Sequence, residues 1–188
     1  MKNKVLFLSE GNYSIHKFLL EAGLDVDYSS NPVSDLARYD LVLSFGYRHL
    51  IPKSVLGTAK REPINLHISF LPFNRGAHPN FWAHYDGTPS GVSIHLMDSG
   101  IDTGRIIIQK QVFFLPTQVT FRQRYDFLIF SIENLFKDNF FKIINNDFKT
   151  FDQRGAGSFH LKSDLPSEFK GWDSIVELEI KRLKSLLK

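Results

Sequence analysis

The alternation of short apolar runs with helical stripes over the first 66 residues constrains the fold most tightly. Val5–Leu8 is a strand-sized apolar run, and the turn-prone Ser9-Glu10-Gly11-Asn12 follows it. Ile15, Phe18, Leu19 and Ala22 then recur at helical spacing, with Gly23 where a C-cap belongs. Leu24–Tyr28 and Leu41–Phe45 read as further strands, Lys53–Leu56 as a short helix behind Pro52, and Pro63–Leu66 as a fourth strand. Strand–helix–strand order supplies the crossovers that parallel strands need. The pattern therefore predicts an α/β domain with a mainly parallel central sheet flanked by helices.

Past Pro72 the pattern changes. A loop holds Arg75-Gly76-Ala77-His78-Pro79, and Phe81, Trp82 and Tyr85 follow at helix spacing. Gly91–Met97 and Arg105–Phe114 read as two strands around a Gly-bounded loop. Thr120 opens a long helix, with Gln123 in the capping-box position and Asn145-Asn146 at its end. Its core-facing stripe is Phe121, Tyr125, Leu128, Ile132, Leu135 and Phe136. A last helix starts at Ser174, with Glu177 as capping-box partner and a stripe of Ile180, Leu183 and Leu187. With no repeat or linker in view, 188 residues are expected to form a single catalytic-sized domain, 1–188.

Composition removes several function classes. There is no Cys, hence no disulfide, thiolate nucleophile or Cys-ligated zinc. Lys plus Arg exceed Asp plus Glu by 23 to 20, an excess too small to mark a nucleic-acid binder. No apolar run approaches the roughly 18–20 residues of a membrane helix. A cytoplasmic protein without membrane or nucleic-acid partners is expected. His78, His84 and His95 lack the spacing of a metal site, so no metal is expected, and neither a dinucleotide fingerprint nor a P-loop occurs.

The chemistry concentrates in 64–108. Asn65 and His67 stand two apart at the end of a strand, so their side chains share one face. In a parallel sheet that end is the carboxyl edge, where open α/β sheets place ligands. An amide beside an imidazole can stabilise an oxyanion and handle a proton. Asp102, in the loop Ser99-Gly100-Ile101-Asp102-Thr103-Gly104, is within reach of that imidazole. By residue type alone, a strand-end Asn or His is more often a loop hydrogen-bonder, and Asp102 serves equally well as a turn cap. With no Cys and no Gly-x-Ser-x-Gly elbow, direct attack by a substrate on a bound carbonyl fits better than an acyl-enzyme.

Taken together, N-L-H-I-S-F-L-P and H-L-M-D-S-G-I-D-T-G-R-I-I resemble the two signatures of the folate-dependent formyltransferases, with Phe70 where Leu is usual. D-L-V-L-S-F-G-Y-R-H-L-I-P is similar to that family's pterin-receiving strand and loop. The resemblance runs from about Asp40 to about Gln111. It implies a Rossmann-like fold, 10-formyltetrahydrofolate as donor co-substrate and a primary amine as acceptor. It also implies a catalytic set of Asn65, His67 and Asp102. By the same resemblance Tyr47, Arg48, His49, Leu50 and Ile51 line the pterin pocket, largely through backbone groups, and Asp98, Ser99, Gly100 and Ile101 close it.

Fewer than about forty residues precede the Asp40 strand, so the N-terminal half looks trimmed beside the family. Gly11-Asn12 is accordingly not expected to grip a phosphate as its counterpart does. Nothing after Gly155 resembles a tRNA-binding barrel, whereas R-G-A-H-P-N-F-W-A and G-S-F-H-L-K-S-D-L resemble the sugar-modifying members. A nucleotide-linked amino sugar is the expected acceptor. The rival readings are a formyltetrahydrofolate hydrolase, and a folate- or nucleotide-binding module without turnover. Phe113-Phe114-Leu115 and the last helix offer either a homodimer face or core packing.

Overall fold

A computed structural model of the protein describes residues 3–11 and 14–186. Asn12 of the Gly11-Asn12 pair and Leu187 of the final stripe lie outside them. The chain begins β1 (Lys4–Leu8), α1 (Ser14–Glu21), β2 (Asp25–Ser29), β3 (Leu41–Phe45), α2 (Lys53–Leu56) and β4 (Ile64–His67). It continues with β5 (Arg75–Gly76), α3 (Pro79–Tyr85), β6 (Gly91–Leu96), β7 (Ile106–Gln111), α4 (Phe121–Asp138) and α5 (Phe140–Ile144). A short β8 (Phe159–His160), one 3₁₀ turn and α6 (Val176–Leu186) complete it.

Six strands form the main sheet in the order β2-β1-β3-β4-β6-β7. The pairs β1–β2, β1–β3 and β3–β4 are parallel, while β4–β6 and β6–β7 are antiparallel. The mainly parallel, helix-flanked α/β sheet is thus the one expected. Among the described residues no helix stands between β2 and β3.

Period-two alternation divides the core between the two faces. Val5 and Phe7 of β1, Leu43 of β3, Ile64 and Leu66 of β4, and Val92 and Ile94 of β6 pack beneath α1 and α4, against Ile15, Leu19, Leu128, Ile132 and Phe136. Leu6, Leu8 and Val42 face the other way and meet Leu36, Tyr39 and Ile51. Burying both faces of β1 is why it reads as a continuous apolar run, and each such side chain contributes about 1.5–3 kcal/mol. A third cluster of Phe81, Trp82, Phe121, Val176 and Leu183 joins α3, α4 and α6.

The Thr120 capping box forms in full: the Gln123 N–H donates to Thr120 Oγ1 at 3.2 Å, and the Thr120 N–H donates to Gln123 Oε1 at 3.0 Å. Four details differ from the sequence expectation. α4 stops at Asp138, and α5 carries the chain on to Ile144, because Asn139 interrupts the helix. Tyr125, placed in the buried stripe, is 39% exposed. β7 ends at Gln111, so Phe113 lies beyond the strand and is 76% exposed. The last helix starts at Val176, since Ile175 pairs with Thr120 in a bridge and Glu177 binds the Arg124 guanidinium instead of capping. Among the described residues no helix is long and apolar enough to cross a membrane.

Candidate active site

Because Ile64 and Leu66 commit one face of β4 to the α1/α4 layer, Asn65 and His67 must point to the other. The same holds for β6, where Val92, Ile94 and Leu96 are apolar, which turns Ser93 and His95 to the face of Asn65 and His67. Antiparallel register then sets Asn65 opposite His95 and His67 opposite Ser93. His95, passed over in the sequence as a histidine without metal spacing, therefore belongs to the constellation. Its signal was the register of two strands that each carry polar residues at alternate positions.

Asp102 completes the group from its loop, with a backbone φ of +54°. That left-handed conformation is tolerated best by Gly, Asn and Asp, and here it turns the carboxylate back over β4 and β6. The Asn65 amide donates to Asp102 Oδ1 at 3.0 Å, and the Gly76 N–H donates to Oδ2 at 3.0 Å. His95 Nε2 lies 3.3 Å from Oδ1, and His67 Nδ1 lies 3.6 Å from Oδ2. Burial would push the Asp102 carboxyl up, but His67, His95 and the Gly76 N–H outweigh burial and hold it well below the usual carboxylate range. Asp102 is an anion at neutral pH.

The partners fix where the ring protons sit. His67 Nε2 faces the Asn74 carbonyl at 3.1 Å, and a carbonyl only accepts, so that nitrogen carries hydrogen and Nδ1 turns to Asp102. His95 Nδ1 likewise donates to the Leu96 carbonyl at 2.8 Å. When His95 Nε2 is bare, it accepts from the Asn65 amide at 3.2 Å, and both amide hydrogens of Asn65 are engaged. When His95 Nε2 is protonated, it donates to Asp102 and frees one Asn65 hydrogen for the cleft.

The loops expected to hold the pterin stand beside this group. Gly46, at φ +66°, ends β3 and starts the first loop. The Tyr47 hydroxyl donates to the Asn31 carbonyl at 2.8 Å, and Leu50 is 67% exposed. Ile51 is buried with its side chain in the core beside Leu8 and Val42, so only its backbone is free to line a pocket. Met97 packs in the same cluster as Tyr47 and Ile51, which joins this loop to the 98–101 loop. There the Asp98 carboxylate accepts from the Gly100 N–H at 3.0 Å and from the Thr103 hydroxyl at 2.6 Å, so it ties its own turn. Ser99 and Ile101 are exposed.

Glu10 was not anticipated. Parallel pairing of β1 with β3 brings their carboxyl ends together, and Glu10 holds Arg48 Nε at 3.0 Å, with His49 Nε2 at 3.9 Å. Among the described residues no group of three or more His, Cys, Asp or Glu is arranged to hold a metal ion.

With this geometry in place, the sequence model of the formyl transferase family matches residues 26–127, more than half of the chain. The chain belongs to the formyl transferase family. The formyltransferase PseJ from Anoxybacillus kamchatkensis, solved with UDP-4,6-dideoxy-4-formamido-L-AltNAc and tetrahydrofolate, superposes with a TM-score of 0.85 at 34% identity, covering 93% of this chain and 96% of that one. A 4-N formyltransferase from Francisella tularensis, at TM-score 0.79 and 21% identity over 95% of this chain and 86% of that one, shares the fold. GDP-perosamine N-formyltransferase from Brucella melitensis is 39% identical over 83 residues, 44% of this chain and 32% of its own length. Methionyl-tRNA formyltransferase from Clostridium novyi is 33% identical over 115 residues, 61% of this chain and 37% of its own. The matched segments thus span about a third of these curated relatives. Membership of the formyl transferase family accounts for the two signature segments, both of which lie inside the matched residues.

Proposed function

We propose that the protein transfers the formyl group of 10-formyltetrahydrofolate to the primary amine of a nucleotide-linked amino sugar, as a single catalytic unit over residues 1–188. The observation that carries this reading is the ionised Asp102 carboxylate held between Asn65, His67 and His95 at the carboxyl edge of β4. The similarity to PseJ over nearly its whole length, and the ligands in that structure, support the choice of acceptor and donor.

In this mechanism the folate sits against the backbone of 47–51, with 98–101 across from it. The acceptor amine attacks the formyl carbon, and the Asn65 amide steadies the developing oxyanion together with the His67 imidazolium, whose Nε2–H is held by the Asn74 carbonyl and whose Nδ1–H is turned to Asp102. Asp102 offsets the positive charge that grows on the attacking nitrogen and helps relay its proton. The C–N bond to the folate breaks, the folate nitrogen takes up a proton, and the formamido sugar and tetrahydrofolate result. Donor and acceptor supply every atom of the products, and this reading invokes no metal. A cytoplasmic location suits both substrates. The exposed Phe113 and Leu115 are the proposed homodimer contact, and sedimentation of Phe113→Ser against the parent protein tests it.

Incubation with 10-formyltetrahydrofolate and a panel of amino-sugar nucleotides is the deciding experiment. Amine-dependent release of tetrahydrofolate is expected. Release without amine means hydrolysis, and no release means a binding module.

A further inference from the structure

Beyond α5 the chain returns along β7. The Ile106 N–H donates to the Phe151 carbonyl at 2.8 Å, and the Phe151 N–H donates back at 3.0 Å. Two residues on, Gln153 reaches the Asp102 turn, and its Nε2 donates to the carbonyls of Asp102 at 2.8 Å and Gly104 at 2.9 Å. One amide carries two hydrogens, so a single side chain bridges both ends of the turn. Its Oε1 is buried without a hydrogen-bond partner. The reversed amide would set that oxygen against two carbonyls, so the orientation is fixed. The turn it spans is the one that holds Asp102 at φ +54°. It is also tight, since a Cβ on Gly104 would lie 1.8 Å from the Leu96 carbonyl oxygen.

We propose that Gln153 is a positioning residue that locks the backbone of the Asp102 turn and so keeps the carboxylate between Asn65, His67 and His95. The carboxylate is held by the Asn65 amide and the Gly76 N–H, and the main chain of the turn by Gln153. Gln153 lies outside the residues that match the family model, in a segment whose sequence gives no hint of a role. The inference rests on the formyl-transfer reading for its effect on turnover, but not for its effect on Asp102.

The test compares Gln153→Met, which keeps the length and loses the donors, with Gln153→Ala, which removes the strut without crowding. Two readouts are followed: the Asp102 carboxyl titration by ¹³C NMR, and kcat with KM for 10-formyltetrahydrofolate. A freed turn takes the carboxylate away from His67 and His95, the titratable groups that face it, so its titration moves up towards the ordinary carboxylate range in both variants. A displacement of about 1 Å costs up to about a hundredfold, so kcat is expected to fall about ten- to a hundredfold while KM for the folate changes little. A purely structural role would lower the melting temperature and leave both readouts in place. An unchanged Asp102 titration in either folded variant overturns the proposal. If the parent protein shows no amine-dependent turnover, the formyl-transfer reading fails, and the titration still judges Gln153.

Discussion

At φ +54°, Asp102 sits where Asn is as well tolerated as Asp, so Asp102→Asn changes charge more than shape. If Asp102 served only as a turn cap, that substitution would be nearly silent. As the anion between two imidazoles, its loss is expected to lower turnover by about a hundredfold or more, and, because both carboxylate oxygens accept from N–H donors, to lower the melting temperature as well. Measuring both on this one variant decides the matter, and intact turnover removes Asp102 from the site. His67 is a different case. It is 8% exposed, and its Nε2–H satisfies the buried Asn74 carbonyl. His67→Ala is therefore expected to cost about 10²–10⁴ in rate, and also roughly 1–3 kcal/mol of stability from the stranded acceptor. Denaturant unfolding alongside kinetics separates the two losses, and normal kinetics would exclude the imidazole from catalysis.

The 46–51 loop works as an element, through the path of its backbone. Arg48 is an exposed side chain paired with Glu10, whereas Gly46 and Ile51 anchor the loop at its two ends. Arg48→Ala is expected to weaken folate binding only modestly, and a one-residue insertion between Gly46 and Ile51 to abolish it. Fluorescence titration with a folate checks both, and equal damage from the two changes counts against recognition by backbone. Among the helices, α4 depends on its cap. Thr120→Ala removes one side of a complete capping box and should cost about 1 kcal/mol, which is about 2–4 °C of melting temperature for a chain of this size. An unchanged melting temperature would mean that packing of the buried stripe alone sets where the helix begins.

For the molecule as a whole, acid sensitivity begins at His84. Its ring lies 3.3 Å from the Arg124 guanidinium and packs on Phe114 and Phe121 between α3 and α4. Burial, then Arg124, pushes its pKa down from 6.5 to about 4. The folded protein keeps this ring neutral where the unfolded chain would take up a proton. Its contribution is therefore whole above about pH 6.5 and is lost as pH falls towards 4. Asp102, held low, adds a second loss as pH falls below the ordinary carboxylate range, where the unfolded chain takes up a proton that the folded carboxylate still refuses. The melting temperature of the parent protein is expected to fall more steeply between pH 6.5 and 4 than that of His84→Gln. Parallel curves for the two proteins would rule out His84 as the source.

What the sequence determined by itself is local or periodic. Continuous apolar runs at Val5–Leu8 and Leu41–Phe45 marked buried strands, helical spacing from Phe121 marked α4, and Asn65 with His67 two residues apart had to share a face. Their place at a carboxyl edge followed from the alternation of elements. Tertiary structure alone decided the rest, because it depends on which distant segments become neighbours. His95 enters the site through the β4–β6 register, Glu10 through the pairing of β1 with β3, and Gln153 through a return of the chain along β7. Glu177 looked like a cap in its own helix, but it was claimed by Arg124, 53 positions away. A charged or amide side chain bonds whichever partner the fold brings within about 3 Å, and sequence spacing carries no record of that distance.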